Sequence, residues 1–183
     1  MASLSSTPSR PLPNILITGT PGTGKTTLSQ SLAEELSFTH LEVSAFVKQH
    51  SLHEGVDAEF DSLILDEDKL VDALEPLVAG GGQVVDFHSP EVFPERYFDL
   101  VLVLRSSTEA LYDRLTERGY KENKRDENVT AEIMQVVLEE ARESYAEEIV
   151  HEVRSDTVEE MDANVERVKA WVGQWKADNK QAS

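Results

Sequence analysis

Three glycines, a lysine and two threonines stand at fixed intervals in Gly19-Thr20-Pro21-Gly22-Thr23-Gly24-Lys25-Thr26-Thr27. The spacing Gly-x-x-x-x-Gly-Lys-Thr is that of a loop that wraps a phosphate in backbone N–H groups. Glycines at 19, 22 and 24 let such a loop turn tightly with no Cβ in the way. Lys25 is spaced to reach the β- and γ-phosphates of a nucleoside triphosphate, and Thr26 to set its hydroxyl on Mg²⁺. Thr27, one residue on, can bond the α-phosphate. The start of the helix that follows adds its positive dipole end.

Such a loop works only between a buried strand and a helix. Ile15-Leu16-Ile17 supplies an apolar β-branched run before it, and Leu28, Leu32, Ala33 and Leu36 repeat with helical spacing after it. Further on, Gln83-Val84-Val85 reads as a buried strand that delivers Asp86 at its C-terminal end. An open parallel sheet places ligands there, and a phosphate-loop enzyme needs an acid there to hold the Mg²⁺ shell. Asp86 is the candidate for that role; a strand-end cap is the alternative. His88 would share its side of an extended chain, either orienting a water or the Mg²⁺ shell or serving the structure alone.

The remaining pattern continues strand by helix. Thr39 to Val43 predicts a second strand and Ser44 to His50 a helix, after which the acidic stretch Leu52 to Asp68 reads as a mobile excursion. Leu70, Val71, Leu74, Leu77 and Val78 form one helical face ended by Gly80-Gly81-Gly82. Asp99 to Leu104 is apolar enough for a central strand, and Ser106 with Glu109 is spaced as a capping box. Arg114 and Arg118 precede a charged segment, Gly119 to Asn128, that can close over a nucleotide and carry cations to a transferring phosphoryl group, or else be a solvated connection. Ile133, Val137, Ala141, Tyr145 and Ile149 predict one long helix, Val150 to Val153 a fifth strand, and Met161 to Trp175 a last helix anchored by Trp171 and Trp175. Arg142, among Glu139, Glu140 and Glu143, reads as an ion-pair partner. The fold class is thus α/β, a phosphate-loop NTPase with a five-stranded parallel sheet flanked by helices. Residues 1–13, rich in Ser and Pro, read as a disordered leader, 14–176 as the domain and 177–183 as a flexible tail.

With 183 residues the chain suits one domain with a full core. It has no cysteine, so disulfides and thiolate zinc sites are excluded. No run approaches the roughly 20 apolar residues of a membrane span, and a secretory signal's apolar core is missing from the first residues, so a soluble intracellular protein is expected. A net charge of −18 argues against direct nucleic-acid binding and allows a basic protein partner; solubility alone explains it equally well.

Two polar excursions on a parallel sheet resemble the plan of nucleoside monophosphate kinases, the first (about 42–65) holding the phosphate acceptor and the second (about 117–127) forming a lid over ATP. The phosphate loop together with Ile64-Leu65-Asp66-Glu67-Asp68, Val85-Asp86-Phe87-His88, Phe93-Pro94-Glu95-Arg96-Tyr97-Phe98, Val103-Leu104-Arg105, Arg118-Gly119-Tyr120 and Glu147-Glu148-Ile149-Val150 is similar to the adenylate kinase isoenzyme 6 family. The resemblance runs from about Pro13 to Trp175. It implies a kinase of broad nucleoside monophosphate specificity favouring AMP, intrinsic ATPase activity, and a part in small ribosomal subunit maturation in the nucleus and cytoplasm with a basic ribosomal protein of the pre-ribosomal particle as partner. By the same resemblance Gly22, Gly24, Lys25, Thr26 and Thr27 bind ATP, Arg118 is the lid arginine, and Asp86 and His88 are tied to hydrolysis. Lys48 stands where an arginine gripping the acceptor phosphate is expected; it keeps the charge and loses the two-pronged grip.

Overall fold

The computed structural model describes residues 10–59 and 62–181. In chain order the elements are β1 (Ile15–Gly19), α1 (Lys25–Leu36), β2 (Thr39–Glu42), α2 (Val43–Gln49), β3 (His53–Asp57), β4 (Ser62–Leu65), α3 (Glu67–Ala79), β5 (Gln83–Asp86), β6 (Leu100–Arg105), α4 (Thr108–Glu117), α5 (Glu122–Ile133), α6 (Val136–Ser144), β7 (Val150–Arg154) and α7 (Val158–Gln181), with short 3₁₀ turns after β5 and before β7.

A strand that is apolar on both sides must be covered on both sides. Five such strands form one sheet in the order β2-β5-β1-β6-β7, every neighbouring pair parallel. Side chains alternate between the faces, so Ile15 and Ile17 meet Leu28 and Leu32 of α1 and Val165, Val168 and Val172 of α7. Leu16, with Val85, Val101 and Val103, meets Leu70, Leu74 and Val78 of α3 and Leu138 and Ala141 of α6. All three β1 residues are fully buried, each worth about 1.5–3 kcal/mol relative to exposure. Parallel strands end at one edge, so Gly19, Glu42, Asp86 and Arg105 arrive at a common rim on a rigid base. The expected α/β architecture is therefore present.

Several local expectations are corrected. The stretch read as a mobile excursion holds regular structure on either side of residues 60–61, which lie outside the described residues: β3 and β4 pair antiparallel, with Val56 opposite Leu63. Leu52 is buried and Leu63 and Leu65 pack on the core, an inward alternation hidden in the sequence by the surrounding carboxylates. The segment after Arg118 is helical from Glu122, because Gly119, with φ of 74°, turns the chain and the Glu, Lys, Arg and Asn residues that follow are compatible with a solvated helix. The single long helix predicted through Ile149 is two helices, broken at Gln135 with φ of 59°; the break leaves Ile133 exposed while Val137 and Ala141 stay buried. Ser107, and not Ser106, caps α4, accepting from the Ala110 N–H at 3.2 Å. Ser106 is turned inward, where its Oγ accepts from Arg114 at 3.1 Å.

Packed chain extends past both expected boundaries of the domain. Residues 1–9 of the leader lie outside the described residues, but Arg10 is buried, donating to Asp99 at 3.1 Å and to the Arg96 carbonyl at 3.0 Å. The Pro13 carbonyl accepts from Gly82 N at 3.1 Å, so residues 10–13 are packed chain. Residues 177–181 of the expected tail continue α7, where Gln174 donates to Asp178 at 2.7 Å; residues 182–183 lie outside the described part. Among the described residues no helix is long and apolar enough to cross a membrane.

Candidate functional site

Between β1 and α1 the chain passes through Gly22 and Gly24 with φ of 94° and 92°, backbone that side chains with a Cβ rarely adopt. A Cβ on Gly22 would also lie 2.8 Å from Leu111 and 2.9 Å from Leu115 of α4. The loop is fixed from behind by its carbonyls. Thr20 O accepts from Thr23 N at 3.2 Å and from the Thr23 hydroxyl at 2.8 Å. Arg114 donates to Gly22 O at 3.2 Å and to the carbonyls of Ser155 and Asp156, while the Ser155 hydroxyl donates to Thr23 O at 2.7 Å. The first-turn N–H groups of α1 have no intrahelical acceptor and are what this arrangement offers to an anion.

A cavity of about 920 Å³ opens over the loop, walled by α2, the β3–β4 hairpin, the end of β5 and α5. Lys25, Thr26, Lys48, Asp86, His88 and Arg118 all line it. Thr27 does not; it is exposed on the first turn of α1. A smaller apolar hollow of about 270 Å³ beside β7 and α7 contains none of these residues.

The lysines at 25, 48 and 124 and Arg118 share this cavity, and among the described residues none of the four makes an ion pair. In a chain with 17 basic and 35 acidic residues, cations left without carboxylate partners on one concavity mark a place for an anion. Lys25 Nζ donates to the Thr20 carbonyl at 3.3 Å. Burial lowers its pKa from 10.5 to about 8, with Asp86 and Glu132 pulling upward and Arg118 pushing down. The His88 pKa is lowered to about 4 by desolvation and by the charges of Lys25 and Lys124. Its ring is open to cavity water, which moderates the size of that shift and leaves the direction: the imidazole is neutral near pH 7.

Asp86 is 4% exposed, and one of its oxygens, Oδ2, lies 3.1 Å from His40 Nε2 on the neighbouring strand. Oδ1 has no protein partner among the described residues. Thr26 and Asp86 thus present one hydroxyl and one carboxylate to a common space, and no group of three or more acidic, His or Cys side chains forms a closed metal cage among the described residues. Mg²⁺ fits such a sparse set of hard oxygens, since it keeps waters and phosphate oxygens for its other positions.

Sequence reasoning missed His40 and Glu132, and within the charged segment 119–128 it singled out neither Lys124 nor Asn128. The last three lie four residues apart, one face of a helix, and that signal was available had the charged segment been read as helical. His40 carried none beyond alternation with Glu42. Arg142 pairs with Glu139 at 3.1 Å, as read, and Trp171 packs against the α7 core layer.

Residues 15–135 match a family model described as an AAA domain. The chain is 51% identical over 169 residues to an adenylate kinase isoenzyme 6 homolog of Caenorhabditis elegans, covering 91% of this chain and 93% of that one. It is 49% identical over 167 residues to the Dictyostelium discoideum homolog, covering 91% and 95%. Among solved structures, shikimate kinase from Acinetobacter baumannii in complex with shikimate superposes with a TM-score of 0.61 at 16% identity, covering 89% of this chain and 94% of that one, a likeness of fold.

Proposed function

The chain belongs to the adenylate kinase isoenzyme 6 family, and from that premise we propose that it transfers the γ-phosphoryl group of Mg-ATP to AMP and related nucleoside monophosphates. The observation that carries this reading is the one cavity that Lys25 of the phosphate loop, Arg118, Lys124 of α5 and Lys48 of α2 all line, none of the four in an ion pair among the described residues. In this reading Lys25, Arg118 and Lys124 serve the triphosphate and Lys48 the monophosphate.

In this reading the triphosphate lies in the loop, with the N–H groups at the start of α1 toward its oxygens. Lys25 exchanges the Thr20 carbonyl for the β- and γ-phosphates, a favourable trade because burial leaves its charge poorly solvated. Thr26 and Asp86 would hold Mg²⁺, which would supply neutralisation of phosphate charge. Arg118 and Lys124 meet negative charge as it spreads over the transferring group, and the α5 wall keeps water away. Lys48 positions the acceptor phosphate opposite. With no acceptor bound, neutral His88 can accept a hydrogen bond from a water in its place, so we propose slow ATP hydrolysis at the same site.

The test is ADP formation from Mg-ATP with and without AMP, on the wild type and on Lys25→Ala, Asp86→Ala and His88→Ala. A strong rise with AMP that disappears in Lys25→Ala supports the kinase. Equal slow rates with and without AMP would leave ATP hydrolysis alone.

The net charge of −18 is compatible with a second reading alongside the first. We propose that the nucleotide cycle serves maturation of the small ribosomal subunit in the nucleus and cytoplasm by engaging a basic ribosomal protein. Binding to such a protein that changes between Mg-ATP and ADP supports it; nucleotide-independent or absent binding removes it.

A further inference from the structure

A buried carboxylate that the proposed chemistry leaves unused stands behind the phosphate loop. Glu132, at the C-terminal end of α5, is only 4% exposed. Its Oε2 accepts from the hydroxyl of Thr20, itself 1% exposed, and its Oε1 from Arg105 Nε. Arg105 also donates to the Glu132 carbonyl at 3.0 Å and to Glu152 at 3.3 Å. Both carboxylate oxygens are therefore engaged, one by the end of β6 and one by the loop.

Thr20 is no peripheral loop residue. Its carbonyl accepts from Lys25 Nζ and from both donors of Thr23, so the Thr20 peptide is where the resting lysine is parked. Glu132 also shares a helix face with Lys124 and Asn128, which lie two turns and one turn back, and both of these line the cavity. One helix thus reaches the nucleotide with its front and the loop with its root. The isolated core alternative, a buried ion pair serving stability alone, accounts for Arg105 but not for the bond to Thr20.

We propose that Glu132 is a positioning residue for phosphoryl transfer: through the Thr20 hydroxyl it fixes the loop peptide that holds Lys25, and it ties the α5 wall to that loop. The proposal rests on the nucleotide-kinase reading above. Its effect is transmitted by Thr20; Glu132 itself touches no substrate.

The experiment is a double-mutant cycle on the full chain with Thr20→Val, Glu132→Gln and the pair, reading the Mg-ATP dissociation constant by calorimetry, kcat/KM for ATP, and the nucleotide-free melting temperature. Thr20→Val leaves the Arg105 pair intact and should fold even where Glu132→Gln does not. Each single substitution is expected to lower kcat/KM for ATP about tenfold, the usual worth of a hydrogen bond to a charged group. The double variant should be no worse than the poorer single, since one bond is removed by either. Thr20→Val within twofold of wild type in both affinity and kcat/KM overturns the proposal, as do losses that multiply in the double. Lys25→Ala serves as the reference for the underlying reading: if it binds Mg-ATP as tightly as wild type, the nucleotide site itself is misassigned, whatever Thr20 does.

Discussion

Replacing Lys25 by methionine should make the nucleotide-free protein more stable while abolishing its binding of ATP. In the structure burial lowers the Lys25 pKa from 10.5 to about 8. At about 1.36 kcal/mol per pH unit, that drop is worth roughly 3 kcal/mol against the fold at neutral pH. The side chain is only half-buried and faces cavity water, which screens part of this; about 1–2 kcal/mol is the expected net. Methionine keeps most of the stem and removes the charge, so Lys25→Met should melt about 2–8 °C higher without nucleotide, at about 2–4 °C per kcal/mol for a domain of this size. The sign with pH follows from proton binding. Between about 8 and 10.5 the unfolded chain holds the lysine proton that the folded chain has released, so wild-type stability rises with pH there relative to the variant. Below about 8 the penalty is present in full. Saturating Mg-ATP reverses the order, because ligand at a hundred times its dissociation constant adds about 2.7 kcal/mol to the wild type alone. Differential scanning calorimetry at two pH values, with and without Mg-ATP, measures all four quantities. A variant that melts at or below wild type at neutral pH, or a gap that does not change with pH, refutes the electrostatic account of Lys25.

Lys48→Arg should restore a two-pronged grip on the acceptor phosphate and lower KM for AMP about two- to tenfold, with KM for ATP unchanged in initial-rate kinetics. Gly81 has φ of 77°, and a Cβ there would lie 2.0 Å from the Leu12 carbonyl oxygen. Gly81→Ala should therefore lower the melting temperature by about 5–10 °C, from a left-handed penalty of about 1–2 kcal/mol plus displacement of the Leu12 peptide. Gly80, with φ of −80° and nothing within 4 Å of where a Cβ would stand, is the neutral comparison. Since burial and the charges of Lys25 and Lys124 lower the His88 pKa, the AMP-dependent rate should show no limb near the ordinary histidine value of 6.5 that His88→Asn removes; such a limb would place a charged His88 in the reaction.

What the sequence made legible follows from how local each signal is. The phosphate loop is a contiguous run whose glycines, lysine and threonine each answer a local demand, and Asp86 follows from where an apolar strand ends. Lys48 and Arg118 came from resemblance, and both line the cavity. Glu132 and His40 could not be read the same way, because their partners lie 112 and 46 residues away in sequence and meet only once the sheet order is set. The hairpin at 53–65 was lost for a different reason: its inward residues alternate correctly, but carboxylates dominate the composition of the stretch. Gln135 illustrates a third case. An every-fourth apolar pattern runs straight through it, and only its left-handed backbone reveals that Ile133 and Val137 belong to separate helices.

A protein with 35 acidic side chains should repel a polyanion such as ATP, yet the proposed function requires it to bind two nucleotides. Distance resolves the conflict. At physiological ionic strength charges are screened beyond about 8 Å, so most surface carboxylates act weakly at the loop, while Lys25, Arg118 and Lys124 line the cavity itself. The cavity itself is not uniformly basic: Glu42, Glu67 and Glu91 line it too, along with Lys48. Those carboxylates oppose the extra charge of a di- or triphosphate more than that of a monophosphate, because each added phosphate brings further negative charge into their reach. The carboxylates of the lining, Glu127 of α5 among them, therefore set how much phosphate charge the four cations of the same cavity can hold.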